Sequence, residues 1–322
     1  MVNRTKPDYD ILIDHPRWRR VLRSPRSLRS GEPRPWSRSW RQVLARPGER
    51  RGTPMVLAVD VGNSTTKVAV FEAANLVGLW RLSTRPRTAD ELSITLEQLL
   101  RRRGIDFGRL DMAALCSVVP YATPSWEDCA INDLGIPLLE ANHRTIPDLV
   151  LTVDNPAAVG ADRLVNAFAA SHLFAGATMV VSLGTATTLD VVREDGRYLG
   201  GVIAPGVGIS ARALFRKAAQ VKAVPLEVPA SVLPSTSFAQ VQSGIMFGTA
   251  AQIDGLAARI QEEVGGVKQV VATGGYAEAI APISRTITTV EPLLTLRGLQ
   301  ILTQRQGPRA CGAQQPRRRG QP

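Results

Sequence analysis

One pattern of twelve residues occurs twice in this chain of 322. Val59-Asp60-Val61-Gly62-Asn63-Ser64-Thr65-Thr66-Lys67-Val68-Ala69-Val70 aligns without gaps on Val181-Ser182-Leu183-Gly184-Thr185-Ala186-Thr187-Thr188-Leu189-Asp190-Val191-Val192, 122 residues further on. Each copy is an apolar run, a turn of glycine and small residues, and a second apolar run, which predicts a β-hairpin. Either hairpin alone reads as an ordinary β-turn. Two of them, matched at Gly62/Gly184, Thr65/Thr187 and Thr66/Thr188, can face each other and grip a phosphate chain from both sides. Backbone N–H groups and hydroxyls supply the donors, and glycine lets the backbone come close. Asp60, at the end of the first strand, can hold Mg²⁺ through water, as phosphoryl transfer requires.

The rest of the middle of the chain alternates between two periods. Strands are expected at 55–60, 67–71, 76–82, 112–119, 178–183, 189–193, 200–204 and 267–272. Helical spacing of apolar residues marks 90–103, 159–174, 207–219, 237–264 and 295–304. Alternation of this kind is α/β.

Charge narrows the partners. Net charge is +11, but residues 1–54 carry 14 Lys/Arg against 5 Asp/Glu, and residues 304–322 carry 5 Arg and no acid, which leaves 55–303 at −3. The basic excess is terminal, so it does not mark a nucleic-acid surface on the globular part. The head is rich in Arg, Pro and Trp without a sustained apolar period, and such a segment cannot bury enough surface to offset chain entropy. It is expected to be a disordered extension or the product of an upstream start codon, the alternative being a nucleic-acid or membrane arm. The 304–322 segment is expected to be a disordered basic tail. No apolar run approaches the roughly 18 residues of a transmembrane helix, and the first 30 residues lack a signal-peptide core. Cys116, Cys129 and Cys311 form no C-x-x-C pair and no even framework, as expected of idle thiols in a reducing cytoplasm. No membrane or nucleic-acid partner is expected.

Other phosphate motifs fail. Gly-Lys never occurs, so a P-loop is excluded. Gly206-x-Gly208-x-x-Ala211 fits a loose dinucleotide fingerprint, but Pro225 and Pro229 follow where a central strand should. It reads better as a tight loop feeding a helix N-terminus, where an anion is favoured. Asp162 stands just after Gly160 at the mouth of an expected helix, where the dipole would keep it ionised. It could take a proton from an attacking alcohol, and Arg163 could fork onto a carboxylate. Taken alone, the pair also reads as a helix-start acid and a surface arginine.

From Met55 onward the sequence closely resembles type III pantothenate kinase, of the acetate/sugar kinase–Hsp70–actin superfamily. The matching segments are 60–66, 155–167, 184–188, 200–210, 242–245, 272–275 and 294–299, in the family's order. The resemblance implies two actin-like (ribonuclease H-like) domains at 55–171 and 172–303 with an ATP cleft between them. It implies ATP-dependent phosphorylation of pantothenate to 4′-phosphopantothenate, the first step of coenzyme A biosynthesis, in a homodimer with a substrate site shared between subunits. By match, Asp60, Val61, Gly62, Asn63, Ser64, Thr65, Thr66, Lys67 and Thr185 bind ATP, with Asp60 serving Mg²⁺. Gly160, Ala161, Asp162 and Arg163 form the pantothenate site, with Asp162 as general base. Three positions depart from the family. Ser182 stands where an acid binds a monovalent cation (K⁺ or NH₄⁺), Val153 where a tyrosine packs by the substrate, and Ser237 where a threonine reaches it. These departures keep two alternatives open: a catalytically retired relative acting as a binding or regulatory accessory factor, and a kinase for another small alcohol.

Overall fold

The computed structural model describes residues 53–306. The N-terminal extension and the 304–322 tail therefore lie outside the described residues, apart from 53–54 and 304–306. Residues 304–306 are not tail but the last turn of a helix.

Strands β1 (Met55–Val61), β2 (Thr65–Glu72) and β3 (Asn75–Ser83) form an antiparallel meander, with β4 (Leu110–Ser117) parallel beside β1 and β5 (Leu138–Glu140) beyond it. Strands β7 (Thr178–Leu183), β8 (Ala186–Val192) and β9 (Arg197–Pro205) repeat the meander, with β10 (Gln269–Thr273) parallel beside β7 and β11 (Thr289–Val290) beyond. The orders are β3-β2-β1-β4-β5 and β9-β8-β7-β10-β11, and β6 (Val150–Leu151) extends the second sheet alongside β9. The twelve-residue repeat is thus the visible end of a duplicated sheet.

Among the described residues seven α-helices connect and cover these strands: α1 (Ala89–Arg102), α2 (Thr123–Asp128), α3 (Ala161–Leu173), α4 (Val207–Lys217), α5 (Ser237–Val264), α6 (Ala277–Ile280) and α7 (Leu294–Gln306). Helix α1 starts at a capping box, in which Glu91 N–H donates to the Thr88 hydroxyl and Thr88 N–H to the Glu91 carboxylate. It then buries Leu92, Leu96 and Leu100. The β1 run is buried on both faces, which is why it is apolar almost throughout. Leu57, Val59 and Val61 face α1, while Val56 and Ala58 join Leu164, Val165 and Phe168 of α3 and Leu296, Leu299 and Leu302 of α7.

Helix α3 is a shared wall. Leu164 and Phe168 pack with the first sheet, and Ala167 and Ala170 pack with Val180, Val192 and Tyr198 of the second. Helix α7 crosses it at Gly298, where a Cβ would stand 2.7 Å from the Val165 side chain. Near that crossing the buried Thr295 hydroxyl donates to Asn166 at 2.8 Å. A single cut at residue 171 does not separate the sheets, because β6 belongs to the second and the C-terminal α7 packs on the first.

The ungapped repeat needs one correction. In the first hairpin Val61 pairs with Thr66 and Asp60 with Lys67, whereas in the second Leu183 pairs with Thr187 and Ser182 with Thr188. The second turn is one residue tighter, closed by Gly184 N–H to Ala186 C=O where the first closes Gly62 to Thr65. Up to the turn the match Asp60/Ser182 holds. After it everything slips by one, and the β-bulges confirm the slip, at Val70/Phe71 in one copy and Val191/Val192 in the other. A one-residue slip exchanges the faces of a strand. Asp190, aligned with Val68 by sequence, takes the place of Ala69, on the face toward α3.

Candidate active site

Asp60 lies at the end of β1 on the face that Val56 and Ala58 share, toward α3, with Lys67 and Cys116 as its strand neighbours. Val61 completes the strand. Gly62, Asn63 and Ser64 form the turn, and Thr65, Thr66 and Lys67 begin β2. Thr84, which the sequence reading did not single out, fixes this turn. Its hydroxyl donates to Gly62 C=O at 2.7 Å and lies 2.9 Å from the Thr66 hydroxyl, and its N–H donates to Ser64 C=O at 3.2 Å.

Asp162 and Arg163 come to the same region from the first turn of α3. Gly160 is the N-cap, Ala161 the first helical residue, and the Asp162 carboxylate accepts the Arg163 N–H at 2.8 Å. A Cβ on residue 160 would lie 2.7 Å from Asp162 Oδ1, so glycine is what lets the carboxylate sit there. At Asp162 the helix N-terminus, expected to keep the acid ionised, is opposed by burial. Burial raises its pKa above the ordinary carboxylate value; the Arg163 N–H opposes the rise and the Asp190 charge adds to it. Asp60 is pushed up to about 6, by burial above all; Lys67 pulls it down and the Asp162 charge pushes further. Two carboxylates about a hundred residues apart in sequence therefore sense each other in one polar region. Cys116 beside Asp60 is buried, and burial first, then the charges of Asp60, Asp162 and Glu140, hold it as a neutral thiol. Burial likewise pushes the Cys129 thiol up to about 12.

Arg163 does not stand free as a surface residue. Its Nε and Nη2 both donate to Asp190 Oδ1, at 2.9 and 2.7 Å. The buried Tyr198 hydroxyl donates to the same oxygen at 2.6 Å, and Thr188 donates to Oδ2 at 2.9 Å. Burial and then the Asp190 charge drive the Tyr198 phenol far above its usual pKa, so it remains a donor. Burial would lower Arg163, but Asp190 more than offsets it. Sequence reading missed Asp190 and Tyr198 as parts of this site and gave Thr188 to the phosphate grip, whereas its hydroxyl donates to Asp190; the one signal, an acid inside an apolar strand, was hidden by the ungapped alignment.

Two close backbone approaches shape the second turn. A Cβ on Gly206 would lie 2.3 Å from Thr185 C=O, and one on Gly274 would lie 2.5 Å from Leu183 C=O. Gly206 is also the N-cap of α4, as the tight-loop reading expected. By sheet register Gly206 corresponds to Thr84, so the second copy lacks that hydroxyl. The buried Thr187 hydroxyl, counterpart of Thr66, accordingly finds no partner among the described residues. Ser182 lies on β7 between Thr188 and Thr273. Val153 follows β6 and packs in the cluster that holds Tyr198, 3.4 Å from where a Cβ on Gly200 would be. Ser237 is exposed at the start of α5, and among the described residues no hydrogen bond joins it to Asp60, Asp162 or Arg163.

Residues 56–259 match the family model for type III pantothenate kinase. The type III pantothenate kinase of Roseiflexus sp. (strain RS-1) is 43% identical over 249 residues, covering 77% of this chain and 98% of the relative. That of Moorella thermoacetica is 41% identical over 252 residues, covering 78% and 99%. In three dimensions the chain resembles a crystal structure described as a conserved putative Baf family transcriptional activator from Campylobacter jejuni. That match has a TM-score of 0.51 and 18% identity over 77% of this chain and 98% of the other, a likeness of fold alone. A family match spanning most of the duplicated α/β fold, with relatives above 40% identity along nearly their whole length, places this chain in the type III pantothenate kinase family.

Proposed function

We propose that this chain transfers the γ-phosphoryl group of ATP to the primary alcohol of pantothenate, giving 4′-phosphopantothenate, as a cytoplasmic homodimer in coenzyme A biosynthesis. The observation that carries the reading is the convergence of Asp60 from β1 and Asp162 from the first turn of α3, each pushed upward by burial. Asp162 is the general base, and a raised pKa makes a carboxylate a better proton acceptor at neutral pH. Asp60 to Lys67 and Thr185 hold the ATP phosphates through turn N–H groups and hydroxyls. Gly160, Ala161, Asp162 and Arg163 hold pantothenate, with Val153 beside it.

Asp60 suits Mg²⁺: a carboxylate raised by burial above all, and further by a second acid, gains from a divalent charge nearby. No cluster of three His, Cys, Asp or Glu side chains occurs among the described residues, and oxygens of the nucleotide and water would complete the ion's ligands. When bound, the ion neutralises charge on the β- and γ-phosphates. Ser182 offers a hydroxyl where a carboxylate would hold K⁺ or NH₄⁺, so monovalent-cation activation is weak. Ser237 belongs to the substrate site across the dimer. No helix of the described residues is long and apolar enough to cross a membrane, and neither a membrane nor nucleic acid is part of the reading.

The test is ATP turnover by the purified chain with and without pantothenate. Pantothenate-dependent ADP release with 4′-phosphopantothenate as product supports the reading. ATP binding without any turnover would instead mark a retired relative, and turnover with other small alcohols but not pantothenate would mark a different acceptor.

A further inference from the structure

We propose that Asp190 is a positioning residue that presents Arg163 to the carboxylate of the substrate. The inference rests on the reading of Asp162 and Arg163 as the acceptor site, and it adds a specificity element from the second sheet. Arg163 uses the side edge of its guanidinium, Nε and Nη2, on Asp190 Oδ1. That leaves the end-on edge, Nη1 and the second Nη2 hydrogen, as the fork for another anion. The pair is well buried, with the Arg163 side chain 13% and Asp190 1% exposed. Tyr198 and Thr188 fix the carboxylate in turn, so the guanidinium plane is set before any ligand arrives.

The fold itself does not ask for an acid here. The same position in the first sheet is Ala69, which also faces α3 and packs there as a plain methyl group. Buried ion pairs are often no more stabilising than apolar replacements of similar volume. The acid is instead explained by what it does to Arg163. It neutralises a charge that would be costly alone and pins it in one rotamer, which cuts the ordering cost of binding a carboxylate.

The experiment compares steady-state kinetics of the full chain with pantothenate and with its uncharged alcohol analogue, for the parent, Asp190→Asn, Arg163→Gln, the double variant and Tyr198→Phe. Asp190→Asn is expected to raise KM for pantothenate about 10- to 100-fold, the size of a lost charge-assisted contact, and to change the analogue far less. The double variant should be no worse than Arg163→Gln alone, because Asp190 acts through Arg163. Tyr198→Phe removes one donor and keeps the charge, and should raise the pantothenate KM about threefold. It carries the test if Asp190→Asn does not fold. The inference is overturned by an unchanged KM, by equal losses with both acceptors, or by losses that multiply in the double variant. A parent that does not phosphorylate pantothenate would sink the functional reading; the role of Asp190 is then read by calorimetric binding of pantothenate against the analogue in the same variants, where loss of the parent's preference supports it and no loss overturns it.

Discussion

Replacing Asp60 with Asn should stabilise the nucleotide-free protein while removing its activity. Asp60 ionises near 3.8 in an unfolded chain and about 6 in the fold, because burial disfavours its charge. The folded state therefore binds this proton more tightly than the unfolded state does. The sign is the reverse of the usual salt-bridged acid: stability falls as pH rises from 3.8 to about 6, and the loss is complete above that. At about 1.36 kcal/mol per pH unit, the ionised group costs the fold about 3 kcal/mol at pH 7, an upper figure for a side chain that keeps some solvent contact. Asn keeps the shape and cannot ionise. At pH 7 the variant should melt roughly 6–12 °C higher, using about 2–4 °C per kcal/mol for a domain of this size. At pH 4 or below the two proteins should melt together. The assay is a series of thermal melts from pH 3.5 to 8 without nucleotide, with ATP turnover measured alongside. Glu127 and Asp133 are also raised but titrate alike in both proteins, so they cancel, and the difference between the curves reports Asp60 together with its coupling to Asp162. Equal melting at pH 7, or a gap of the same size at pH 4 and pH 7, would refute the reasoning, since neither could come from a buried charge.

Asp162→Asn should retain ATP binding by calorimetry and lose about 10²- to 10⁴-fold in kcat, the usual worth of a general base; near-parental turnover would make Asp162 structural. Gly160→Ala places a methyl 2.7 Å from Asp162 Oδ1, so kcat should fall at least about tenfold with little change in secondary structure by circular dichroism, a displacement penalty of about 1.4 kcal/mol or more. Ser182→Asp returns an acid beside the second turn, and a charge there repels the triphosphate unless a cation intervenes. The variant should be slower than the parent without K⁺ and improve as K⁺ replaces Na⁺ at constant ionic strength; identical responses would show that position 182 governs no cation site.

Much of this architecture was legible because it is local. Apolar alternation and capping residues are written within a few positions of the element they specify, so β1, β2, α1 and the 28-residue α5 lie where the sequence put them, α5 residue for residue. Gly160 before Asp162 announced the start of α3 for the same reason. Short elements left no such mark: β6 has two residues and exists because β9 offers it an edge, and α2 runs into a π-turn with only Trp126, Cys129 and Ala130 to bury. The decisive case is Asp190. The ungapped alignment sets it opposite Val68 rather than Ala69, because a gapless match cannot register that one turn is a residue tighter than the other, and turn closure depends on Gly206 and Gly274 arriving from elsewhere. The sequence by itself determined the strands, the turns and the acids at their ends. Only the tertiary structure decided which face each acid occupies, that Arg163 is held by Asp190, and that Asp60 ionises near 6, because register and desolvation are set by segments far apart in the chain.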